Sequence, residues 1–395
     1  MKANDMERIA VYLPWFLPWT GGIQTAALEI MRNLRQFHFE VVTNEYPHTA
    51  RKDAMEDHMT VMRFPPMDFR TSRHLTFVPR KVRTLSNGVL EYLRSKKKKE
   101  YLRKADFDML FLLRLEEVDF HRLAFGLESD YLKKMFFEML DFSEFGSAVL
   151  YRDHSRFAQW QPGDVVGDFL LREIPHIQCI EIDGYEKARE FVQDEGLPTK
   201  LYHLPNSVDT SHFRYKSPTK SKVLRIGYAA RLDREGTDLL LRFTSEIPDG
   251  VELRVAGLAP KDVERRFERL SRSPRVKFLG STSYEDMPGF YSGIDVLLNT
   301  LPLRGIGRVT LESMSCGRPV MMARKGNRYP IIDGETGLLF DYDLQDLLDL
   351  VGRVAEEKEE LLEMGREARR VVEKEFSHEV IMPRQASIFS SIISG

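Results

Sequence analysis

Apolar residues in this chain fall into short continuous runs, separated by segments in which they recur at helical spacing. Ile9–Leu13 is such a run, the pattern of a strand covered on both faces. From Ile23 to Leu34 the apolar positions Ile23, Ala26, Ala27, Ile30, Met31 and Leu34 share one helical face. Phe39–Thr43 is a second apolar strand. Strand, loop, helix, strand is how a doubly wound α/β sheet begins. Further strands are expected at Met109–Leu113, Ala148–Tyr151, Gln178–Ile182 and Lys200–Leu204, with a helix over Lys187–Asp194. Little else between Glu45 and Ser147 can be assigned.

Residues 214–222 are polar and carry a proline, as a linker would. The alternation then restarts. Strands are expected at Leu224–Tyr228, Glu252–Gly257, Val276–Gly280, Val296–Asn299 and Val320–Ala323. Helices are expected at Asp238–Thr244, Lys261–Leu270, Asp286–Tyr291 and Val309–Ser315, then a long charged helix near Leu347–Lys374 and a last one over His378–Ile393. Two α/β halves imply a central cleft, with ligands at the carboxyl ends of the strands.

Composition narrows the picture. The 395 residues suit two domains rather than one core. With 42% hydrophobic and 30% charged residues, the chain reads as globular rather than disordered. A net charge of −2 gives no global pull toward nucleic acid. Cys179 and Cys316 lie far apart with no metal-ligand spacing, which points to a reducing compartment and no disulfide. Met1–Arg8 lacks the apolar core of a signal peptide, and no run approaches the roughly 20 apolar residues of a membrane span. The expectation is a cytoplasmic protein whose membrane contact, if any, is peripheral.

The most informative block is residues 304–320, a glycine-rich loop (Arg304-Gly305-Ile306-Gly307-Arg308) running into a short helix that stops at Gly317, with Pro319 beyond. A helix N-terminus presents N–H groups and partial positive charge, which suits phosphate. Glu312 lies about one turn into that helix, where its carboxylate could accept hydrogen bonds from sugar hydroxyls.

This block resembles the donor-site segment of retaining GT-B glycosyltransferases of family four. Gly227–Leu241 resembles the family's strand-to-helix turn at the donor diphosphate, and Arg231 matches its phosphate arginine. Val276–Ser281, with Gly280, resembles the strand end beside the nucleobase, and Asp333–Leu339 the turn after the donor loop. Pro205–Asp209 with Phe213 resembles the hinge motif, Ser207 standing where the family usually has glycine. Glu312 matches the second glutamate of the family's Glu-seven-residues-Glu motif, which usually holds the nucleotide ribose.

Two charges are reversed. Arg304 stands where the family's first glutamate meets the donor sugar. The family's lysine is missing from a turn about one residue short, which carries Glu235 instead. Three readings stay open: Arg304 and Glu235 form a swapped ion pair, Arg304 or Arg308 reaches the diphosphate, or the donor sugar is no longer held.

In the first half, Gly21 and Gly22 resemble the family's glycine pair after the first strand, facing leaving phosphates or acceptor. His154, at the end of Val149–His154, matches a frequent cleft histidine and could orient donor or acceptor. Trp15, Phe16 and Trp19 could stack on an acceptor sugar or lipid, dip into a membrane interface, or cap the first domain's core. The basic run Arg94–Lys99 either touches anionic lipid or is a solvated helix face.

The resemblance implies a GT-B fold of two Rossmann-like domains: 1–213 for the acceptor, 223–376 for the nucleotide-sugar donor, and 377–395 returning to the first domain. It implies a metal-independent retaining transfer of a hexose from a nucleoside-diphosphate sugar to a glycan or lipid-linked acceptor hydroxyl. In such a reaction the donor is a substrate and no cofactor is needed. The alternative is a noncatalytic glycosyltransferase-like protein that binds nucleotide, glycan or a partner enzyme. A GT-B epimerase or phosphorylase is a third reading.

Overall fold

The computed structural model describes residues 6–13, 15–18, 21–65, 96–113, 134–139, 174–217, 221–232, 236–301 and 306–395. They form two compact units, Met1–Leu204 with Met382–Gly395, and Pro205–Ile381. No helix among the described residues is long and apolar enough to cross a membrane.

The first unit runs β1 (Arg8–Tyr12), α1 (Gly22–Asn33), β2 (His38–Asn44), β3 (Lys52–Glu56), β4 (Met59–Phe64), α2 (96–104), β5 (Met109–Leu113), β6 (Met135–Met139), β7 (His176–Cys179), α3 (Ile182–Asp194) and β8 (Lys200–His203). Its sheet has the order β3-β4-β2-β1-β5-β6-β7-β8. Only the β3–β4 pairing is antiparallel. Strand side chains alternate between faces, so β1 feeds two cores. Ile9 and Val11 pack with Ala27, Ile30 and Met31 of α1, whereas Ala10 and Tyr12 pack with Leu102 of α2 and Ala188 of α3.

The second unit runs β9 (Leu224–Ala229), α4 (Thr237–Ser245), β10 (Val251–Ala256), α5 (Lys261–Leu270), β11 (Val276–Gly280), α6 (Met287–Ser292), β12 (Val296–Asn299), α7 (Arg308–Ser315), β13 (Val320–Ala323), β14 (Gly337–Phe340), α8 (Leu344–Glu356) and α9 (Glu360–Glu375). All pairings are parallel, in the order β11-β10-β9-β12-β13-β14. Counted within the unit this is 3-2-1-4-5-6, the dinucleotide-binding order, with its switch point between β9 and β12. Leu224, Ile226 and Tyr228 of β9 face a core with Leu240 of α4 and Leu347 of α8. Ala229 and Leu297 face the other core, with Tyr291, Leu311 and Ala368 of α6, α7 and α9. Val208 and Phe213 also lie in that core, so the contact boundary at Leu204/Pro205 falls ahead of the stretch 214–222.

The last helix, α10 (His378–Ser394), begins in the second unit, where the His378 N–H donates to the Val208 carbonyl at 3.1 Å. From Met382 onward it belongs to the first unit. There the Phe389 ring lies 5.8, 5.1 and 5.7 Å from those of Phe37, Phe111 and Phe136.

Several expected elements differ. The long helix over Leu347–Lys374 is two helices, α8 and α9. Between them Lys358 turns inward, its ammonium 2.8 Å from the buried Asp295 carboxylate and 2.7 Å from the Val223 carbonyl. The strand expected at Gln178–Ile182 lies at His176–Cys179, because Ile182 already starts α3. β3, β4, β6 and β14 were not anticipated, and Ala148–Tyr151 lies outside the described residues. Phe16 is fully buried in the core around α1. The basic run is not a uniformly solvated face. Lys98 is fully buried, its Nζ 5.0 Å from the Tyr12 ring centroid and donating to Asn44 Oδ1.

Candidate functional site

The carboxyl end of the second sheet gathers most of the described candidates. β9 runs on past Ala229, the Ala230 N–H donating to the Ala256 carbonyl at 3.2 Å and the Leu232 N–H to the Leu258 carbonyl at 2.8 Å. Arg231 lies between these two anchors and is exposed.

Two glycines shape this edge. A Cβ on Gly257 would stand 1.8 Å from the Ala230 carbonyl oxygen, so only glycine lets the ends of β9 and β10 meet there. The Gly257 N–H in turn donates to the Gly280 carbonyl at 2.7 Å, which fixes the end of β11 beside it. Leu258 and Leu279, 58% and 51% exposed, leave apolar surface next to these glycines. Gly236, at φ +95°, caps α4, and a Cβ there would stand 2.5 Å from the Thr300 carbonyl oxygen. The buried Thr300 hydroxyl donates to the Gly236 carbonyl at 2.9 Å. The N-terminus of α4 is thereby held against the end of β12, at the switch point.

Beyond β12 the chain enters α7. Asn206 Nδ2 donates to the Ile306 carbonyl at 3.2 Å, and the Ile306 side chain is buried. Gly307 caps α7 in extended backbone, φ −68° and ψ 159°. Among the described residues, a Cβ on Gly307 would meet no atom within 4 Å. The buried hydroxyls of Thr237, at the start of α4, and Thr310, in the first turn of α7, have no hydrogen-bond partner among the described residues. Such groups are rare in folded proteins.

Glu312 is 5% exposed and held on two sides. The Tyr291 hydroxyl donates to Glu312 Oε2 at 2.8 Å, and Arg308 Nη2 lies 3.7 Å from Oε1. Burial, together with the Glu312 charge and hydrogen bond, holds the Tyr291 phenol well above its ordinary value and so keeps it a donor. At the far end of α7, burial pushes the Cys316 thiol up to about 12, which makes it a packing residue rather than a nucleophile. The Glu312 carboxylate has about four acceptor positions, so it can serve ribose hydroxyls while Tyr291 holds it.

Arg231, Ile306, Gly307, Arg308 and Glu312 therefore share the carboxyl end of adjacent strands β9 and β12, and Gly280 joins them through Gly257. Gly21 and Gly22 lie in the first unit, at the start of α1 and the carboxyl side of β1, which is that sheet's own switch point. The Gly21 carbonyl accepts from the Thr25 N–H at 2.9 Å, and among the described residues a Cβ on Gly22 would meet nothing within 4 Å. Arg304, Gly305, Glu235 and His154 lie outside the described residues. Tyr291, Thr300 and Gly236 were missed as site residues. Tyr291 sits in an apolar helix and reads as core, whereas Gly236 immediately before a helix was a usable signal.

Residues 223–357 match the family model described as glycosyl transferases group 1. The chain carries a glycosyl transferases group 1 domain. This group 1 domain contains every described donor-site residue of the second unit named above, apart from Asn206. A GDP-mannose-dependent monoacylated alpha-(1-6)-phosphatidylinositol monomannoside mannosyltransferase of Corynebacterium glutamicum is 27% identical over 227 residues, 51% of this chain and 59% of that protein. The chain spans about half the length of the curated relatives it matches, 59%, 47% and 54% for three of them. Among solved structures, sucrose-phosphate synthase from Thermosynechococcus elongatus superposes with a TM-score of 0.76 at 16% identity, covering 98% of this chain and 99% of that one. HepE of Anabaena, solved with UDP and glucose, gives 0.69 at 18% identity, covering 98% and 100%. Around the group 1 domain the fold is GT-B, two Rossmann-like α/β units, as the sequence led us to expect.

Proposed function

We propose that the chain is a glycosyltransferase. It moves a hexose from a nucleoside-diphosphate sugar to a hydroxyl of a glycan or glycolipid, with retention of anomeric configuration and without a metal. The observation that carries this reading is the buried Glu312 carboxylate, fixed by Tyr291 and Arg308 one turn into a helix whose N-terminus opens at the β9–β12 switch point.

In this reading Glu312 accepts from the ribose hydroxyls. The first turn of α7 and the guanidinium of Arg231 take the diphosphate. Arg304 or Arg308 adds positive charge from the glycine loop. Fixed donors of this kind stabilise the charge that grows on the departing diphosphate, the task a metal performs elsewhere. The open space at Gly307 fits close approach of phosphate to backbone. The leaving phosphate helps to deprotonate the acceptor. Gly21, Gly22 and His154 serve donor or acceptor from the first unit. A glycolipid acceptor is supported by the phosphatidylinositol mannoside named for the Corynebacterium relative. It would put the protein in the cytoplasm, at the inner face of a membrane.

The test is turnover in EDTA. The protein is incubated with UDP-, GDP- and ADP-hexoses and a panel of glycan and phosphatidylinositol-glycan acceptors, and the product's anomeric centre is read by NMR. One donor should give an axial product from an axial donor. Nucleotide binding without release of sugar to any acceptor or water would favour the noncatalytic alternative, to which the Arg304 and Glu235 charge reversals point.

A further inference from the structure

Tyr291 is held from every side. Its ring packs edge-on against Phe213 and Phe290, with centroids 5.9 and 5.4 Å away. Its carbonyl accepts from Nε of the fully buried Arg318 at 3.0 Å. Arg318 Nη1 also binds the carbonyls of Cys316 and Gly317, both at 3.2 Å, so one guanidinium ties the end of α6 to the end of α7. The phenol cannot swing without breaking that packing, and it places its hydroxyl 2.8 Å from Glu312 Oε2.

Arg308, by contrast, is a long side chain 3.7 Å from the other carboxylate oxygen. At that distance the contact is a loose ion pair, and a long arginine side chain directs a carboxylate less firmly than a packed phenol at hydrogen-bond distance. With Tyr291 present, one oxygen is pinned and the orientation of the other is set. We infer that Tyr291 is the positioning residue for Glu312, presenting that carboxylate to the ribose of the bound nucleotide and so setting the preference for ribonucleotides. This rests on the proposed donor role of Glu312. Tyr291 lies 21 positions before Glu312 and touches no substrate in this scheme.

The experiment compares binding of UDP, GDP and ADP with their 2′,3′-dideoxy counterparts by calorimetry, for the full chain and for Tyr291→Phe, Glu312→Gln and the double variant. Melting curves confirm folding. Tyr291→Phe should lower the ribo-over-dideoxy preference about tenfold, with dideoxynucleotide affinity little changed, because a hydrogen bond to a charged group is lost. In the Glu312→Gln background the same change should add little. Equal weakening of both nucleotide forms would show a merely structural tyrosine and overturn the inference. So would an unchanged preference in Tyr291→Phe where Glu312→Gln loses it. If Glu312→Gln keeps the full preference, or no nucleotide binds the unaltered chain, the donor role of Glu312 fails, and the inference falls with it. Should Tyr291→Phe not fold, Tyr291→His, which keeps a ring nitrogen donor, must retain more of the preference than Tyr291→Leu, and equal losses would overturn it.

Discussion

Arg308 and Glu312 stand one turn apart on α7, Nη2 and Oε1 separated by 3.7 Å, with both side chains almost buried. A cation in the first turn of a helix opposes the helix dipole. Arg308 is stabilised there by Glu312 and, in the proposed reaction, by the donor diphosphate. Arg308→Ala is therefore expected to weaken binding of a nucleoside diphosphate about tenfold while changing nucleoside binding far less. Parallel titrations with nucleoside and diphosphate check this. Equal losses for both would place Arg308 outside the phosphate site.

Gly307 and Gly236 should respond in opposite ways. A Cβ on Gly307 would meet no atom of the described residues within 4 Å, so Gly307→Ala should leave the melting temperature nearly unchanged and cut nucleotide affinity about tenfold by crowding the phosphates. Gly236 has φ +95° and a would-be Cβ 2.5 Å from the Thr300 carbonyl oxygen, so Gly236→Ala should destabilise the second unit by about 1–3 kcal/mol. Thermal unfolding with and without nucleotide separates the two effects.

Asp295 anchors the opposite end of the second sheet. Burial alone would raise its pKa, but hydrogen bonds from Arg225 and Lys358 win and hold it below the ordinary 3.8. A depressed carboxyl contributes stability above its unfolded pKa and loses it as pH falls through the folded one. Asp295→Asn should thus cost about 3 kcal/mol at neutral pH, since it strands two cations. The gap from the unaltered chain should narrow below about pH 4. Melting curves from pH 7 to 3 would show it, and a gap independent of pH would contradict the ion-pair account.

Lys98 separates packing from membrane attraction in the basic run. It is fully buried beside Tyr12 and Asn44, whereas Lys96 and Lys97 are exposed. Lys98→Ala should destabilise the first unit by about 2 kcal/mol or more, and Lys96→Ala should leave its stability unchanged. Chemical denaturation measures both. Only the exposed lysines should alter binding to anionic vesicles.

What the sequence revealed follows from where the chain lies in the sheets. Met109–Leu113, Val276–Gly280, Val296–Asn299 and Val320–Ala323 match their predicted bounds. In two of them, Met109–Leu113 and Val320–Ala323, every residue is apolar, as interior parallel strands require. The edge pair β3–β4 stayed hidden because Lys52, Asp53, Glu56 and Arg63 break any apolar run, and because the Arg63–Asp53 ion pair is visible only once the strands are paired. The break between α8 and α9 was hidden because Lys358 pairs with Asp295, 63 positions earlier. At the candidate site, Glu312 and the glycine loop were legible because a helix N-terminus writes its needs into consecutive residues. Tyr291 and Thr300 were not, because their roles come from contacts between separate elements.

The central claim is a nucleotide-sugar site built around Glu312. Its most direct test is calorimetric titration with UDP, GDP, ADP and their common sugar conjugates, in EDTA, for the unaltered chain and for Glu312→Ala. The expected result is saturable binding of one nucleotide class, lost in a variant that still folds. Equal affinity for that nucleotide in Glu312→Ala would contradict the claim, as would no binding by the unaltered chain.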